Sequence, residues 1–170
     1  MKTYTIHKNC HYSNWIPKCL LMAGSNYFSQ GGNIIFADNC KYEIDEKSCV
    51  NKLYGFCLGL FGVHKNSIRF GWTYNKETDN IDLWKYVYSD GKLTKKVIAS
   101  CKTGEEHSYL IEGWICKDEN NDTVYDIRFR LDGNKIDTAI VKSNKWFAWT
   151  LGPYFGGNTK APHKINILEC

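Results

Sequence analysis

The sequence predicts an all-β fold with its strands in two packed layers. Three observations predict it. Strand-length segments of alternating apolar and polar residues recur along most of the chain. Clusters of Gly, Asp and Asn punctuate them at regular intervals. Almost no stretch carries the 3.6-residue period of an amphipathic helix. Ten or eleven short strands exceed what one open sheet holds without curling, so two sheets or a barrel are required. A jelly-roll sandwich is preferred, with the last strand returning beside the first. At 170 residues the chain has a one-domain length, residues 1–170, and needs no disulfides to stabilise its core.

In chain order, residues 3–7 form a short strand, followed by an irregular region that ends at Gly31-Gly32. Residues 33–40 read as a compact apolar strand closed by a turn at Asp38-Asn39, and residues 41–52 as a charged connecting loop. In residues 53–61 the bulk of Tyr54, Phe56, Leu58 and Leu60 falls on one face. Gly55, Cys57 and Gly59 leave the other face thin, which marks sheet curvature or the close approach of a ligand.

The clearest element is the hairpin in residues 63–92. Ile68, Phe70, Trp72 and Tyr74 alternate with Ser67, Arg69, Gly71, Thr73 and Asn75, so one face is core and the other is polar. The strand 81–89 answers it across the five-residue turn KETDN. Further strands follow at 93–101, 107–117, 124–131, 135–142, 146–154 and 163–169. Both faces of 107–117 carry apolar residues and are expected to be covered. In 124–131, Ile127, Phe129 and Leu131 face the core, leaving Asp126, Arg128 and Arg130 opposite. Asp132-Gly133-Asn134 has the chemistry of a tight hairpin turn. Most of the six tryptophans are expected in the core.

The aromatic and hydrophobic content is spread evenly, which excludes a disordered tail. There is no apolar run of membrane-spanning length and no hydrophobic leader at the N-terminus, so synthesis and retention in a cytoplasm are expected. The eight cysteines are then expected as reduced thiols. His7, Cys10, His11 and Cys19, with Cys40 and Cys49, form the only metal-like cluster, but no CxxC pair exists and neither metal nor cofactor is expected. The +4 formal charge rests on lysines that far outnumber arginines, which makes a nucleic-acid partner unexpected. Arg69, Arg128 and Arg130 all fall within strands. If those strands share a sheet, the three forks converge on one anionic ligand.

The phrases NKLYGFCLGLFGVHKNSIRFGW and LGPYFGGNTKAPHKINI, with the aromatic hairpin between them, resemble small proteins of tailed bacteriophages and prophages assigned to the concanavalin A-like, laminin-G-like jelly roll. The resemblance runs from about Asn51 to the C-terminus. It implies a glycan-binding module, a glucanase or an alginate-type lyase, each using the concave face of one sheet. The retaining glucanase pattern needs alternating carboxylates on one strand. The nearest string, at residues 43–48, lacks its final Glu and lies in a loop. A lyase needs a group to neutralise the uronate carboxylate and a His or Tyr to move the C5 proton. His64, Asn66, Arg69 and Tyr154 supply those types, although the lyase strings themselves are absent.

The expected ligand surface comprises His64, Asn66, Arg69, Arg128, Arg130, Tyr154, Asn158 and His163, with Trp84, Tyr86 and Tyr88 available for sugar stacking. His64, Asn66, Asn158 and His163 serve equally well as turn residues. The leading expectation is a non-enzymatic phage-type protein, made in a host cytoplasm, that binds a glycan or anionic small molecule or decorates a virion through virion proteins or its own copies. Two alternatives stand beside it: a cytoplasmic anti-defence protein that sequesters an anionic signalling nucleotide, and an alginate-lyase-like polysaccharide lyase.

Overall fold

The computed structural model describes residues 1–21, 26–43, 49–59 and 62–170. Among the described residues twelve strands follow one another: β1 (Lys2–Ile6), β2 (Cys19–Leu21), β3 (Tyr27–Phe36), β4 (Asn51–Leu58), β5 (Ser67–Asn75), β6 (Asn80–Ser89), β7 (Lys92–Cys101), β8 (Glu106–Lys117), β9 (Thr123–Leu131), β10 (Asn134–Lys142), β11 (Phe147–Leu151) and β12 (Ile165–Glu169). A 3₁₀ turn, Asp38–Cys40, stands after β3. Among the described residues no helix is long and apolar enough to cross a membrane.

The strands form two six-stranded antiparallel sheets. The first has the order β1-β12-β3-β8-β9-β10 and the second β2-β11-β4-β5-β6-β7. The last strand does return beside the first, with Tyr4 opposite Ile167. Facing residues of the two sheets interlock in one core. The Phe70 ring meets Phe129 edge-on at 5.1 Å, and Tyr54 stacks on Tyr109 at 4.8 Å. At the open side, Lys85 of β6 donates to the Thr138 carbonyl of β10 at 2.9 Å and pairs with Asp137 at 3.1 Å.

The hairpin turns follow their residues. Asp90-Gly91 and Asp132-Gly133 both have two consecutive positive φ angles, 48° and 79°, then 50° and 77°. That backbone matches the twist of a two-residue hairpin, and Asp-Gly enters it at little steric cost.

Four expectations need correction. Gly31-Gly32 does not end the opening region; it lies inside β3, where a Cβ on Gly31 would come within 2.8 Å of the Leu110 side chain and the Tyr109 carbonyl. The glycines answer a close approach of β8 rather than a turn. Strand β2 has no alternation to announce it and owes its place to pairing with β11. The outer face of β8 is not fully covered, since Cys116 is exposed there and Trp114 and Leu110 are half-buried. Of the six tryptophans only Trp72 is fully buried; Trp15 packs at the core's margin, and Trp84, Trp114, Trp146 and Trp149 lie outside it. Strand pairing set Trp84, Trp114 and Trp149 on the outer faces, where a wide ring with a polar N–H is tolerated, and Trp146 lies just ahead of β11.

Candidate functional site

The site is built on the outer face of the second sheet, and a bulge in β4 makes it. Lys52 pairs with Gly71 and Gly55 pairs with Arg69, so two residues of β4, Leu53 and Tyr54, oppose the single Phe70 of β5. Both extra side chains go into the core, each fully buried. The period of two is thereby broken, and Lys52 emerges on the same face as Gly55 and Arg69.

Rows of side chains then cross this face from strand to strand. One row reads Leu151, Gly55, Arg69, Tyr86, Lys95; the next reads Lys52, Gly71, Trp84, Val97; a third reads Trp149, Cys57, Ser67, Tyr88, Leu93. The small residues Gly55, Cys57, Ser67 and Gly71 form a low floor between aromatic flanks. Lys52 is only 8% exposed, and its ammonium sits 4.6 Å above the centre of the Tyr86 ring, itself 9% exposed.

The chain from 152 to 158 closes one side. Lys52 and Tyr154 exchange backbone hydrogen bonds at 2.8 and 3.0 Å, which makes them a directly opposed pair. The N-terminal segment straps the same loop: Phe155 N–H donates to the His11 carbonyl at 2.8 Å, and the His11 ring stacks on Tyr154 at 5.2 Å. His11 Nδ1–H donates to the Phe155 carbonyl at 2.9 Å. Gly152 is required here, because any Cβ would fall within 2.4 Å of the Trp15 ring system. A pocket of about 140 Å³ results, lined by Tyr12, Trp15, Pro17, Pro153, Tyr154 and Arg69.

Its electrostatics are unusual. Among the described residues the buried Nε–H of Arg69 has no acceptor, and its only hydrogen bond is a long one, 3.5 Å, to the Gly152 carbonyl. Among the described residues neither Lys52 nor Arg69 makes an ion pair. Burial, joined by the Arg69 charge, pushes the Lys52 ammonium down to about 8. Burial pushes the Arg69 guanidinium down to about 10, so it stays cationic at neutral pH. Burial and the Tyr88 hydrogen bond push the Tyr86 phenol up to about 12, and burial and Tyr12 raise that of Tyr154. Two unpaired cations, one of them able to lose its proton, thus stand beside protonated phenols.

The sequence-predicted residues divide. Arg69 and Tyr154 belong to the site. His64 stands at its rim, edge-on to Tyr88 at 5.2 Å. Asn66 is structural: its Oδ1 accepts the Asp90 N–H at 2.8 Å and fixes the turn after β6. His163 likewise hydrogen-bonds the Asn39 carbonyl at 2.9 Å. Asn158 is exposed on the loop, whose Gly157 N–H donates to Cys49 Sγ at 2.9 Å.

Arg128 and Arg130 are on the wrong sheet. They lie on β9, on the outer face of the first sheet, with the whole core between them and Arg69. There Arg128 stacks on Trp114 at 4.3 Å and pairs with Asp126, while Arg130 pairs with Glu112. The three-arginine clamp for a signalling nucleotide is therefore not formed. Of the glucanase-like string, Glu43 pairs with Lys76 at 2.7 Å and residues 44–48 lie outside the described residues. Among the described residues no three His, Cys, Asp or Glu gather as a metal site would require. All eight cysteines are free.

No protein-family model and no curated protein matches the chain by sequence. Solved structures do match. The alginate lyase Aly36B aligns with a TM-score of 0.64 at 14% identity, over 97% of this chain and 76% of its own. Variants of that enzyme have been captured with alginate trisaccharide and tetrasaccharide. The endo-β-1,4-glucuronan lyase of Trichoderma reesei aligns at 0.54 and 14% identity, over 97% of this chain and 75% of its own. The alginate lyase of Aplysia kurodai aligns at 0.53 and 13% identity, over 99% and 82%. This chain has the concanavalin A-like jelly-roll fold that such carbohydrate-active proteins share. The comparisons overturn the expectation of a non-enzymatic binding or decoration module, since these similar folds belong to polysaccharide lyases.

Proposed function

We propose that the protein is a polysaccharide lyase that cleaves a uronate-containing glycan by β-elimination. One observation carries the reading: buried Lys52 and half-buried Arg69 are neighbouring cations that make no ion pair among the described residues, and Lys52 is backbone-paired with Tyr154. A uronate carboxylate placed on Arg69 supplies the missing partner and, once its charge is offset, acidifies the C5 proton of its own sugar. Neutral Lys52 takes that proton. Tyr154, held protonated, donates to the glycosidic oxygen at C4. The C4–O bond breaks, the C4=C5 double bond forms, and no water is consumed. Exposed Tyr12, with Trp15 and Pro17, offers apolar walls for the neighbouring sugar.

Support comes from the fold, which alginate and glucuronan lyases share, and from the trapped Aly36B complexes, both of which were made with a lysine replaced by alanine. The glycan partner belongs to this reading, as does the setting that the phage-like phrases point to: a lyase encoded by a phage or prophage and made in the host cytoplasm. The test is incubation with a panel of polyuronates while following the ultraviolet absorbance of the unsaturated uronate. Absorbance that rises with the wild type and not with Lys52→Met supports the assignment. No rise on any polyuronate removes it.

A further inference from the structure

The row that contains Arg69 continues to the sheet edge, and its end is a second cation. Arg69 pairs with Tyr86, and Tyr86 pairs with Lys95 of β7. Two inter-strand spacings separate the cations, about 10 Å. Lys95 is exposed, makes no ion pair among the described residues, and is close enough for its charge to act on Lys52. On the same face of β7 it is flanked by Leu93 and Val97, 39% and 37% exposed, so apolar surface borders the charge on both sides. The Lys52 ammonium over the Tyr86 ring lies between the two ends.

We propose that Lys95 is a specificity-determining subsite: the glycan lies across the strands, with one carboxylate on Arg69 and that of the second sugar along on Lys95. In an extended, two-fold 1→4-linked chain alternate sugars present their carboxylates on the same side, one disaccharide repeat apart, and that repeat matches the two-strand step between Arg69 and Lys95. The sugar between them passes Tyr86 and the Lys52 ammonium that covers its ring. A substrate must therefore span at least three sugars and carry uronates at its first and third. A homopolymer of uronates and an alternating uronate and neutral-sugar polymer both satisfy this spacing. The proposal rests on the reading of Arg69 as the carboxylate site.

Binding is measured by calorimetry with uronate monomers and trisaccharides of both kinds, using the Lys52→Met protein so that no ligand is consumed. Lys95→Glu, introduced on an exposed edge, is expected to leave the melting temperature in place. It should weaken trisaccharide binding about tenfold, as loss and reversal of one exposed charge contact implies. Monomer binding should not change. Equal trisaccharide affinity with and without the Lys95→Glu change overturns the subsite while leaving cleavage and the lyase reading intact. Trisaccharide binding that depends on Lys95, in a wild-type protein that cleaves nothing, upholds the subsite and overturns the lyase reading. Binding of the homopolymer trisaccharide alone upholds the spacing and adds that the middle carboxylate is read; failure of both trisaccharides to bind overturns the subsite.

Discussion

Lys52 Nζ lies 4.6 Å above the Tyr86 ring centre and spends its hydrogen bonds on two carbonyls, Val50 at 2.7 Å and Gly156 at 3.4 Å. Neither partner is an anion, so the loss of hydration on burial outweighs what they return. A lysine pushed to about 8 is half deprotonated near that pH and can act as a base. For the free enzyme, kcat/KM should therefore rise through about pH 8. Lys52→Met should lower it by roughly 10²–10⁴, the usual contribution of a positioned base. A pH profile flat from 6 to 9 in the wild type would remove Lys52 from that role.

The same shift predicts the pH dependence of stability. Lys52 falls from its ordinary 10.5 to about 8 on folding, so between those values the unfolded chain holds a proton that the folded chain has lost. Stability must rise with pH across that window, and the penalty is fully present below pH 8. Its size is at most about 3 kcal/mol. The Cys40 and Cys101 thiols, raised on folding from their ordinary 9, act in the opposite sense above pH 9, and Tyr86, whose phenol rises to about 12, joins them above pH 10, which limits the useful range to pH 8–9. Denaturant titrations should show wild-type stability increasing there. Lys52→Met should lack the slope and be the more stable protein at pH 7.

What the sequence revealed and concealed here has a geometric cause. β5 was legible because Ser67 to Asn75 alternates without a break, and the same alternation turned Arg69 outward. Lys52 was not legible. Strict alternation back from Cys57 and Gly55 assigns residue 52 to the core side with Tyr54, and the charged run before it reads as loop. Only the adjacent Leu53-Tyr54 pair, two bulky residues where one fits, hinted at the bulge. The grouping of Arg128 and Arg130 with Arg69 failed for another reason: alternation tells which side of a strand a residue takes, never which sheet the strand joins. Asn66 and His163 stood in distinctive phrases because the turns there need them.

The separation of the arginines makes a paired prediction. Arg69→Ala removes the carboxylate partner and should lower kcat/KM by about 10²–10³, as loss of a charge-stabilising donor does. Its cost in stability should be small, because the side chain leaves with an unsatisfied Nε–H and no ion pair. Arg128→Ala and Arg130→Ala alter the far sheet and should leave kcat/KM unchanged. Equal losses from all three changes would mean that the substrate does not lie on the Arg69 face.

Cysteine reactivity should also follow position. Burial works to raise the Cys49 thiol, but the Gly157 N–H and its loop neighbours outweigh it and the thiol is lowered. At Cys40 the hydrogen bonds with the Ala37 and Asn166 backbone do not outweigh burial, and Cys101 has no such compensation: burial raises both, Cys101 to about 12. Since the thiolate is the reactive form, iodoacetamide at pH 7.5 should label Cys49 well before either of them. Mass mapping of the first labelled peptide decides it, and Cys40 or Cys101 appearing first would contradict the loop geometry around Cys49.

The last prediction concerns the frame under the site. On β8, Gly113 faces the core, where a Cβ would lie 2.2 Å from the Phe28 ring. That ring cannot yield easily: it meets Phe56 edge-on at 4.9 Å and Tyr125 at 5.8 Å, and Phe56 belongs to the strand that carries Lys52. Gly113→Ala must therefore displace a ring wedged between both sheets, at a cost of about 1–3 kcal/mol. For a chain of this length each kcal/mol lowers the melting temperature by about 2–4 °C. Thermal unfolding should show that fall, while kcat/KM measured well below the transition stays near the wild-type value, because Arg69, Lys52 and Tyr154 are anchored by β4, β5 and the 152–158 loop. An unchanged melting temperature would mean that the two layers are not packed as tightly at Phe28 as the geometry requires.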